Sequence, residues 1–246
     1  MHRKILVTAR SFCQTPGPHQ QLLREGGYQI LESPEDRPLE AAELVALVTD
    51  VQALIAGVDK ITADVIASAE RLRVISRYGV GVDNVDLEAA TRRGIVVTTT
   101  PAANSVSVAE LTIALILALA RHIPHHNRVV KQGHWRRTPG VELSGAVLGL
   151  IGMGRVGREV ASRAAAFGMR ILFRDPVPPP QELLDRLGAS SRPLEDLLSQ
   201  SDVVSLHLPL DDDTRNLIDR RAIERMKPAA LLINTARGGL VDEQAL

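Results

Sequence analysis

The run Gly152-Met153-Gly154-Arg155-Val156-Gly157 constrains this chain more than any other stretch. It follows the aliphatic segment Val147 to Ile151, which suits a strand, and opens a segment from Arg155 to Phe167 patterned as a helix. Three glycines at this spacing between strand and helix have distinct physical tasks. Gly152 makes a tight turn, Gly154 lets a ligand approach the backbone, and Gly157 lets helix and strand pack closely. The first helical turn then presents unpaired N–H groups and positive dipole to an anion such as a pyrophosphate. Asp175 ends the next strand-like run, Arg170 to Phe173, about 20 residues on, where a carboxylate can accept hydrogen bonds from ribose hydroxyls. The expectation is a dinucleotide site in a Rossmann domain. Asp175 also repels a 2′-phosphate, which favours NAD over NADP. Arg174 beside it reads as a solvated strand-end charge.

Upstream, short strand-like runs alternate with helix-sized segments. Strands are expected at Ile5 to Val7, Tyr28 to Leu31, Ala53 to Ile55, Val74-Ile75 and Ile95 to Val97. Helices are expected at Gln20 to Glu25, Leu39 to Val48, from the N-cap Thr62 through Ala69, and at Val85 to Arg92. Such alternation implies parallel pairing through right-handed crossovers. Pro101 marks a break, after which Asn104 or Ser105 is placed to cap a long helix reaching about Arg121. That helix is apolar nearly all round, which predicts burial on most sides and an interdomain or intersubunit position. Past the glycine motif, helices are expected at Gln181 to Leu187 and Leu194 to Ser199, and strands at Val203 to Leu206 and Leu231 to Asn234. The fold class is α/β, with two doubly wound parallel-sheet domains joined by a long helix. Residues 1–99 read as one doubly wound, flavodoxin-like unit, the candidate substrate domain once the resemblance given below is taken into account, and residues 100–246 as the helix and the NAD-binding Rossmann domain.

Composition agrees with that class and excludes others. Hydrophobic residues make up 45% of the chain but aromatics only 2%, so the cores must be aliphatic, as in strands covered by helices on both faces. Lys plus Arg, 29, balances Asp plus Glu, 29, which removes the electrostatic footprint of a nucleic-acid binder. The single cysteine, Cys13, cannot form an internal disulfide. The most apolar stretch, Leu111 to Ala120, is about half the length that crosses a bilayer. A cytoplasmic protein with no membrane partner is expected.

Three further segments resemble the D-isomer-specific 2-hydroxyacid dehydrogenases. Ser76-Arg77-Tyr78-Gly79-Val80-Gly81-Val82-Asp83-Asn84-Val85-Asp86 resembles that family's substrate loop. Asn104-Ser105-Val106-Ser107-Val108-Ala109-Glu110 looks like the start of its interdomain helix. Asn234-Thr235-Ala236-Arg237-Gly238-Gly239-Leu240-Val241-Asp242-Glu243 resembles its arginine signature. With the glycine fingerprint these span essentially the whole chain in the family's order, and the texture is closest to the 3-phosphoglycerate dehydrogenase type. The resemblance implies hydride transfer between NAD(H) and a small D-2-hydroxy acid or its 2-keto acid, in a cleft between domains. Phosphoglycerate is the leading substrate, although Lys60 is the one clear cation in the loop Ala56 to Lys60, with Arg77 a second cation or a structural ion pair. Glyoxylate and hydroxypyruvate are the alternatives.

Residue by residue, Gly79, Val80 and Gly81 form a backbone nest for the substrate carboxylate, with Tyr78 and Asn104 also contacting substrate. Arg237 pairs with carboxylate and carbonyl oxygen through its planar fork and stabilises charge developing there. Arg155 and Val156 cap the pyrophosphate, His207 and Pro209 close over the adenosine side with Thr214 nearby, and Thr235 and Ala236 lie beside the nicotinamide ribose. His207 is expected to be a cofactor neighbour rather than a proton carrier. The family's proton-carrying histidine, its glutamate partner and an aspartate for the nicotinamide amide follow the arginine signature in known members, beyond Leu246. This predicts a truncated chain that binds NAD weakly and turns over nothing. Two other classes share these motifs, an NADH-sensing corepressor and a non-catalytic NAD-binding protein. A homodimer through the cofactor domain and the helix from Asn104 to Arg121 is expected.

Several features invite bland explanations. Arg121-His122-Ile123-Pro124-His125-His126 reads as a cationic helix end with Pro124 breaking the helix, and no metal site is expected. His134 and Trp135 are expected to pack in a helix–loop corner, Cys13 to lie near the end of the first strand, and Asp211-Asp212-Asp213 to form a solvated loop capping ahead of Thr214.

Overall fold

Along Arg3–Val7 (β1), Leu6 packs into one hydrophobic cluster while Ile5 and Val7 pack into another. This period-two alternation places helices on both faces of the strand. The computed structural model describes residues 3–246, which form two units, one ending at Ala103 and the other Asn104–Leu246.

In the first unit β1 is followed by α1 (Arg10–Gln14), α2 (Pro18–Glu25), β2 (Tyr28–Glu32), α3 (Ala41–Val48) and β3 (Ala53–Ala56). Then come α4 (Ala63–Ser68), β4 (Val74–Arg77), α5 (Leu87–Arg92) and β5 (Val96–Thr98). The sheet is wholly parallel in the order β2-β1-β3-β4-β5. Local chemistry sets the helix starts. Thr62 accepts from Val65 N at 3.5 Å, as its expected N-cap role requires, and Asp86 accepts from Ala89 N at 2.8 Å. Glu40 and Glu43 form a capping box ahead of α3. Leu44, Leu54, Ile61, Ile66 and Ile75 fill the main core.

In the second unit α6 (Ser105–Ala120) and α7 (Ile123–Lys131) precede β6 (Val147–Ile151), α8 (Arg155–Ala166), β7 (Arg170–Arg174), α9 (Gln181–Leu187) and β8 (Ser190–Ser191). Next are α10 (Leu194–Gln200), β9 (Val203–Leu206), α11 (Arg220–Arg225), β10 (Leu231–Asn234) and a 3-10 turn at Gly238–Leu240. The parallel order is β8-β7-β6-β9-β10, the Rossmann order through five strands. Central β6 is buried at every residue. Leu148 and Leu150 join the cluster beneath α6 and α8, while Val147 and Ile151 join the cluster that holds Leu197 and Leu198 of α10. A side chain at Gly149 would run into Ser201 and Leu197, so α10 lies close against this strand. Truncating Leu148 or Leu150 to Ala, both with no exposed surface, costs roughly 2–5 kcal/mol by cavity formation.

Several expectations need correcting. Cys13 lies in α1 rather than at a strand end. Trp135 does not pack in a corner, because 82% of it is exposed. Pro124 does not merely break a helix: it occupies the first turn of α7, where the missing N–H costs nothing. His122 takes the left-handed conformation (φ 54°) between α6 and α7, which bend by 63°. His125 and His126 therefore sit at the positive end of a helix rather than complementing a C-terminus. Asn104 occupies the N-cap position of α6 but its side chain makes no cap bond.

The long helix also departs from burial on most sides. Ala109, Thr112, Ile113, Ile116 and Ala120 are buried, while Leu111, Leu115 and Leu119 are 37–53% exposed. Their four-residue spacing aligns them as one apolar stripe. Among the described residues no single helix is long and apolar enough to cross a membrane.

Candidate functional site

A Rossmann sheet opens a crevice where its strand order reverses, outside the carboxyl ends of the two strands concerned. Here those strands are β6 and β9. Gly152 leaves β6 with φ +97°, and a Cβ there would collide with the carbonyl of His207, which follows β9. His207 N donates to Ile151 O at 2.8 Å, so the two strand ends are tied together. A Cβ at Gly157 would collide with Gly152 O, which shows why α8 can pack this close only with glycine there.

Gly154 is different. It is exposed, and a Cβ there would meet nothing within 4 Å. No packing demand within the protein explains its lack of a side chain. The N–H groups of Gly154, Arg155 and Val156 find no acceptor among the described residues. These are the orphan donors of a twelve-residue helix. An open cradle with unused amides at a helix N-terminus fits a diphosphate.

Asp175 follows β7, and its carboxylate does work on the protein side. Oδ2 accepts from Met153 N at 2.6 Å, inside the glycine turn, and Oδ1 accepts from Val177 N at 2.8 Å. Each oxygen has a further lone pair for a ribose hydroxyl. Asp175 therefore shapes the turn as well as facing sugar chemistry, a coupling that spacing alone does not reveal.

His207 is partly buried and its Nε2 lies 2.9 Å from Ser205 Oγ. Burial pushes its pKa down from 6.5 to about 4, so the ring is neutral at physiological pH. Such a group is poorly matched to proton transfer near neutrality. Beyond it, Thr214 Oγ1 lies 2.8 Å from both Pro209 O and Asp211 Oδ1. Asp211 Oδ1 also accepts from Thr214 N and Asp213 N, so the capping role expected of the acidic run falls to Asp211. This closed turn fixes Pro209 and Thr214.

The arginine loop is built by Asn234, to which sequence alone assigns no role. Asn234 Nδ2 donates to Arg237 O at 2.8 Å, and its Oδ1 accepts from Ala236 N at 3.0 Å. The side chain thus bridges the turn from Asn234 to Arg237. Thr235 Oγ1 lies 2.9 Å from Thr112 Oγ1, joining the loop to α6. Arg237 donates from Nη1 to Ala236 O at 3.0 Å.

In the first unit Gly79, Val80 and Gly81 follow β4, and their N–H groups meet no acceptor among the described residues. Arg77 supports this loop from beneath: only 5% exposed, it donates from Nε to Gly81 O at 3.0 Å and from Nη1 to Ala56 O at 2.6 Å and to Gly57 O. Its guanidinium organises backbone, which favours the structural one of its two expected roles over contact with a substrate phosphate. Tyr78 and Asn104 are exposed. Among the described residues no group of three His, Cys, Asp or Glu is placed to hold a metal.

An N-terminal amide cradle at a sheet's reversal point, with a carboxylate braced beside it, defines a dinucleotide-binding α/β protein. Residues 113–246 match the model for the NAD binding domain of the D-isomer specific 2-hydroxyacid dehydrogenases, and the chain belongs to that family. It is 44% identical over 230 residues to human D-3-phosphoglycerate dehydrogenase, covering 92% of this chain and 42% of the relative. The chain thus spans about two fifths of the length of these curated phosphoglycerate dehydrogenases. It is also 44% identical over 215 residues to the hydroxypyruvate reductase of Thermotoga maritima, covering 85% of this chain and 68% of the relative. A crystal structure of a Thermus thermophilus protein superposes with a TM-score of 0.85 at 42% identity, over 98% of this chain and 76% of the other. The expected family, fold class and NAD cofactor are accordingly supported.

Proposed function

We propose that this chain carries the NAD-binding and carboxylate-binding parts of a dehydrogenase acting on a D-2-hydroxy acid, with phosphoglycerate or hydroxypyruvate-type compounds as substrates. The observation that carries this reading is the open cradle at Gly154, where the amides of Gly154, Arg155 and Val156 find no acceptor among the described residues and a side chain would meet nothing within 4 Å. Bound NAD would supply the hydride acceptor. Gly154, Arg155 and Val156 hold its diphosphate, Gly152 and Gly157 keep the turn tight, and Asp175 accepts from the ribose. His207, Pro209 and Thr214 line the adenosine side, and Thr235 and Ala236 lie beside the nicotinamide ribose. In the first unit the amides of Gly79, Val80 and Gly81 grip the substrate carboxylate. Arg237 stabilises negative charge on the oxygen at the reacting carbon, held in place by Asn234. Two relatives at equal identity, one a phosphoglycerate dehydrogenase and one a hydroxypyruvate reductase, support the substrate class rather than one substrate.

Calorimetric titration with NADH and NADPH tests the cofactor assignment. NADH is expected to bind about tenfold or more tightly, and Asp175→Ala to reduce that ratio toward unity by removing repulsion of the 2′-phosphate. The ratio is the informative quantity, because loss of the Met153 bond weakens both cofactors together. Tighter binding of NADPH by the unaltered chain would overturn the assignment.

We also propose that the stripe Leu111, Leu115 and Leu119 pairs with a second copy of the chain. These leucines leave a continuous apolar stripe on a helix whose opposite face, with Ala109, Thr112, Ile113, Ile116 and Ala120, is buried. Leu115→Glu is expected to shift the sedimentation coefficient from dimer to monomer at micromolar concentration, with secondary structure intact. A monomeric parent chain would refute the pairing.

A further inference from the structure

The first unit has its own reversal point. Its order, β2-β1-β3-β4-β5, makes β1 and β3 neighbours while the chain leaves β1 toward β2 on one side and β3 toward β4 on the other. The crevice beyond those two strand ends is a cleft of about 430 Å³, lined by Thr8, Arg10, Ser11, Gly57, Val58 and Tyr78 among others. Gly57 is tied to β1 by its N–H, which donates to Thr8 Oγ1 at 3.1 Å, and a Cβ there would press on Thr8 O at 2.8 Å. The cleft floor is therefore backbone and hydroxyl, with a single cation, Arg10, in its described lining.

We infer that this cleft receives the distal oxyanion of the substrate, a phosphate or carboxylate on the carbon chain beyond the 2-hydroxy acid group, and that Arg10 selects for it. Arg10 is placed by fixed neighbours. His19 Nε2 and Gln20 Nε2 each lie 2.9 Å from Phe12 O, Gln20 Nε2 also bonds Cys13 O at 3.1 Å, and the Phe12 ring meets Tyr78 edge-on at 6.1 Å. The short helix that carries Arg10 is thus anchored to α2 and to the residue preceding the Gly79–Gly81 amides. Of the guanidinium's five N–H donors, the Nη1 end is committed to Asp36, bonding its backbone O at 2.6 Å and lying 3.4 Å from Oδ1. Nε and Nη2 make no hydrogen bond among the described residues. The Asp36 carboxylate is 83% exposed at the rim, so it holds the guanidinium loosely and opposes an incoming anion. Arg77 and Lys60 do not supply this charge: the first is spent on backbone carbonyls and the second is absent from the cleft lining.

This inference rests on the 2-hydroxy acid reading, and the test separates the two. Binding of D-3-phosphoglycerate, D-malate, D-glycerate and inorganic phosphate to the full chain is measured by calorimetry in the presence of NAD, and the Arg10 side-chain NH signals are followed by NMR. One of the two charged acids is expected to bind about tenfold or more tightly than D-glycerate, and which one does so tells phosphate from carboxylate. Arg10→Gln should erase that preference while leaving D-glycerate affinity within about twofold, and Asp36→Asn should increase it. Melting curves check that both surface variants stay folded. A preference that survives Arg10→Gln, or an equal loss for D-glycerate, overturns the role of Arg10 and leaves the 2-hydroxy acid reading intact. If no 2-hydroxy acid binds but inorganic phosphate shifts the Arg10 signals, the anion site holds and the substrate reading falls. If phosphate also leaves them unmoved, both fall.

Discussion

Gly154→Val is expected to fold as stably as the parent chain and to lose about 100-fold or more in NADH affinity, roughly 3 kcal/mol of binding. The backbone at Gly154 is extended (φ −70°, ψ −156°) with no left-handed φ to exclude a side chain, and its Cβ would enter empty space. The only thing such a side chain can obstruct is a ligand lying on the amides. Gly157→Val should behave in the opposite manner. Its Cβ would overlap Gly152 O, so α8 must move off β6, at a cost of about 3 kcal/mol in stability. Gly152→Ala combines a left-handed φ of +97° with a collision against His207 O, and should be at least as damaging. Calorimetric melts and NADH titrations on the three variants separate these outcomes. If Gly154→Val bound NADH like the parent chain, the cradle would have no ligand and the cofactor site would have to be placed elsewhere.

The contrast also indicates where sequence reading carries far and where it does not. Gly152, Gly154 and Gly157 were assigned three different tasks from spacing and context, because strand, turn and helix in immediate succession leave the backbone few options. Thr62 as an N-cap and Val147 to Ile151 as a strand are equally legible, since each depends on residues within a few positions. Short elements are not. At Arg10–Gln14 and Arg220–Arg225 there are five and six residues, too few for a helical period to register above noise. Pro124 reads as an interruption because proline both ends and begins helices, and only the left-handed His122 decides between them. Trp135 stands in solvent instead of the expected corner, and nothing near it in sequence offers a partner.

The missed site residues have a common cause. Thr8 and Gly57 are joined by a hydrogen bond across 49 positions, so the cleft holding Arg10 exists only once the strand order is known. Sequence leaves Arg77 open between a substrate cation and a structural ion pair, because its charge is visible there and its burial is not. Desolvating a guanidinium demands partners, and the carbonyls of Ala56, Gly57 and Gly81 supply them from two separate loops. Asp175 was assigned to a sugar hydroxyl, yet its bond to Met153 N follows from the same proximity of β6 and β7 that brings it near the turn. In each case the side chain's second role lies in tertiary contact, which local pattern does not encode.

Acidification should weaken the second unit through His207 before the carboxylates respond. The ring is neutral in the folded chain down to about pH 4, whereas a released histidine takes up a proton near 6.5. Between these values the unfolded state binds a proton that the folded state does not, so stability falls as pH is lowered through that window. The loss is complete near pH 4 and amounts to on the order of 3 kcal/mol, or roughly 6–12 °C in melting temperature. Glu43, held down to about 2 by Arg37 and the Glu40 backbone, gives way only as pH falls from about 4.5 toward that value. His207→Gln keeps a partner for Ser205 but cannot titrate, so its melting temperature should stay nearly level from pH 6.5 to 4 while the parent's declines. Calorimetry is the suitable probe, because the single tryptophan is already solvated in the folded chain. Parallel curves for parent and variant would mean that the ring is protonated in the native state, and would return His207 to contention as the proton carrier. A steeper decline in the parent alone would leave it as a neutral wall of the cofactor crevice, with proton transfer assigned to another group.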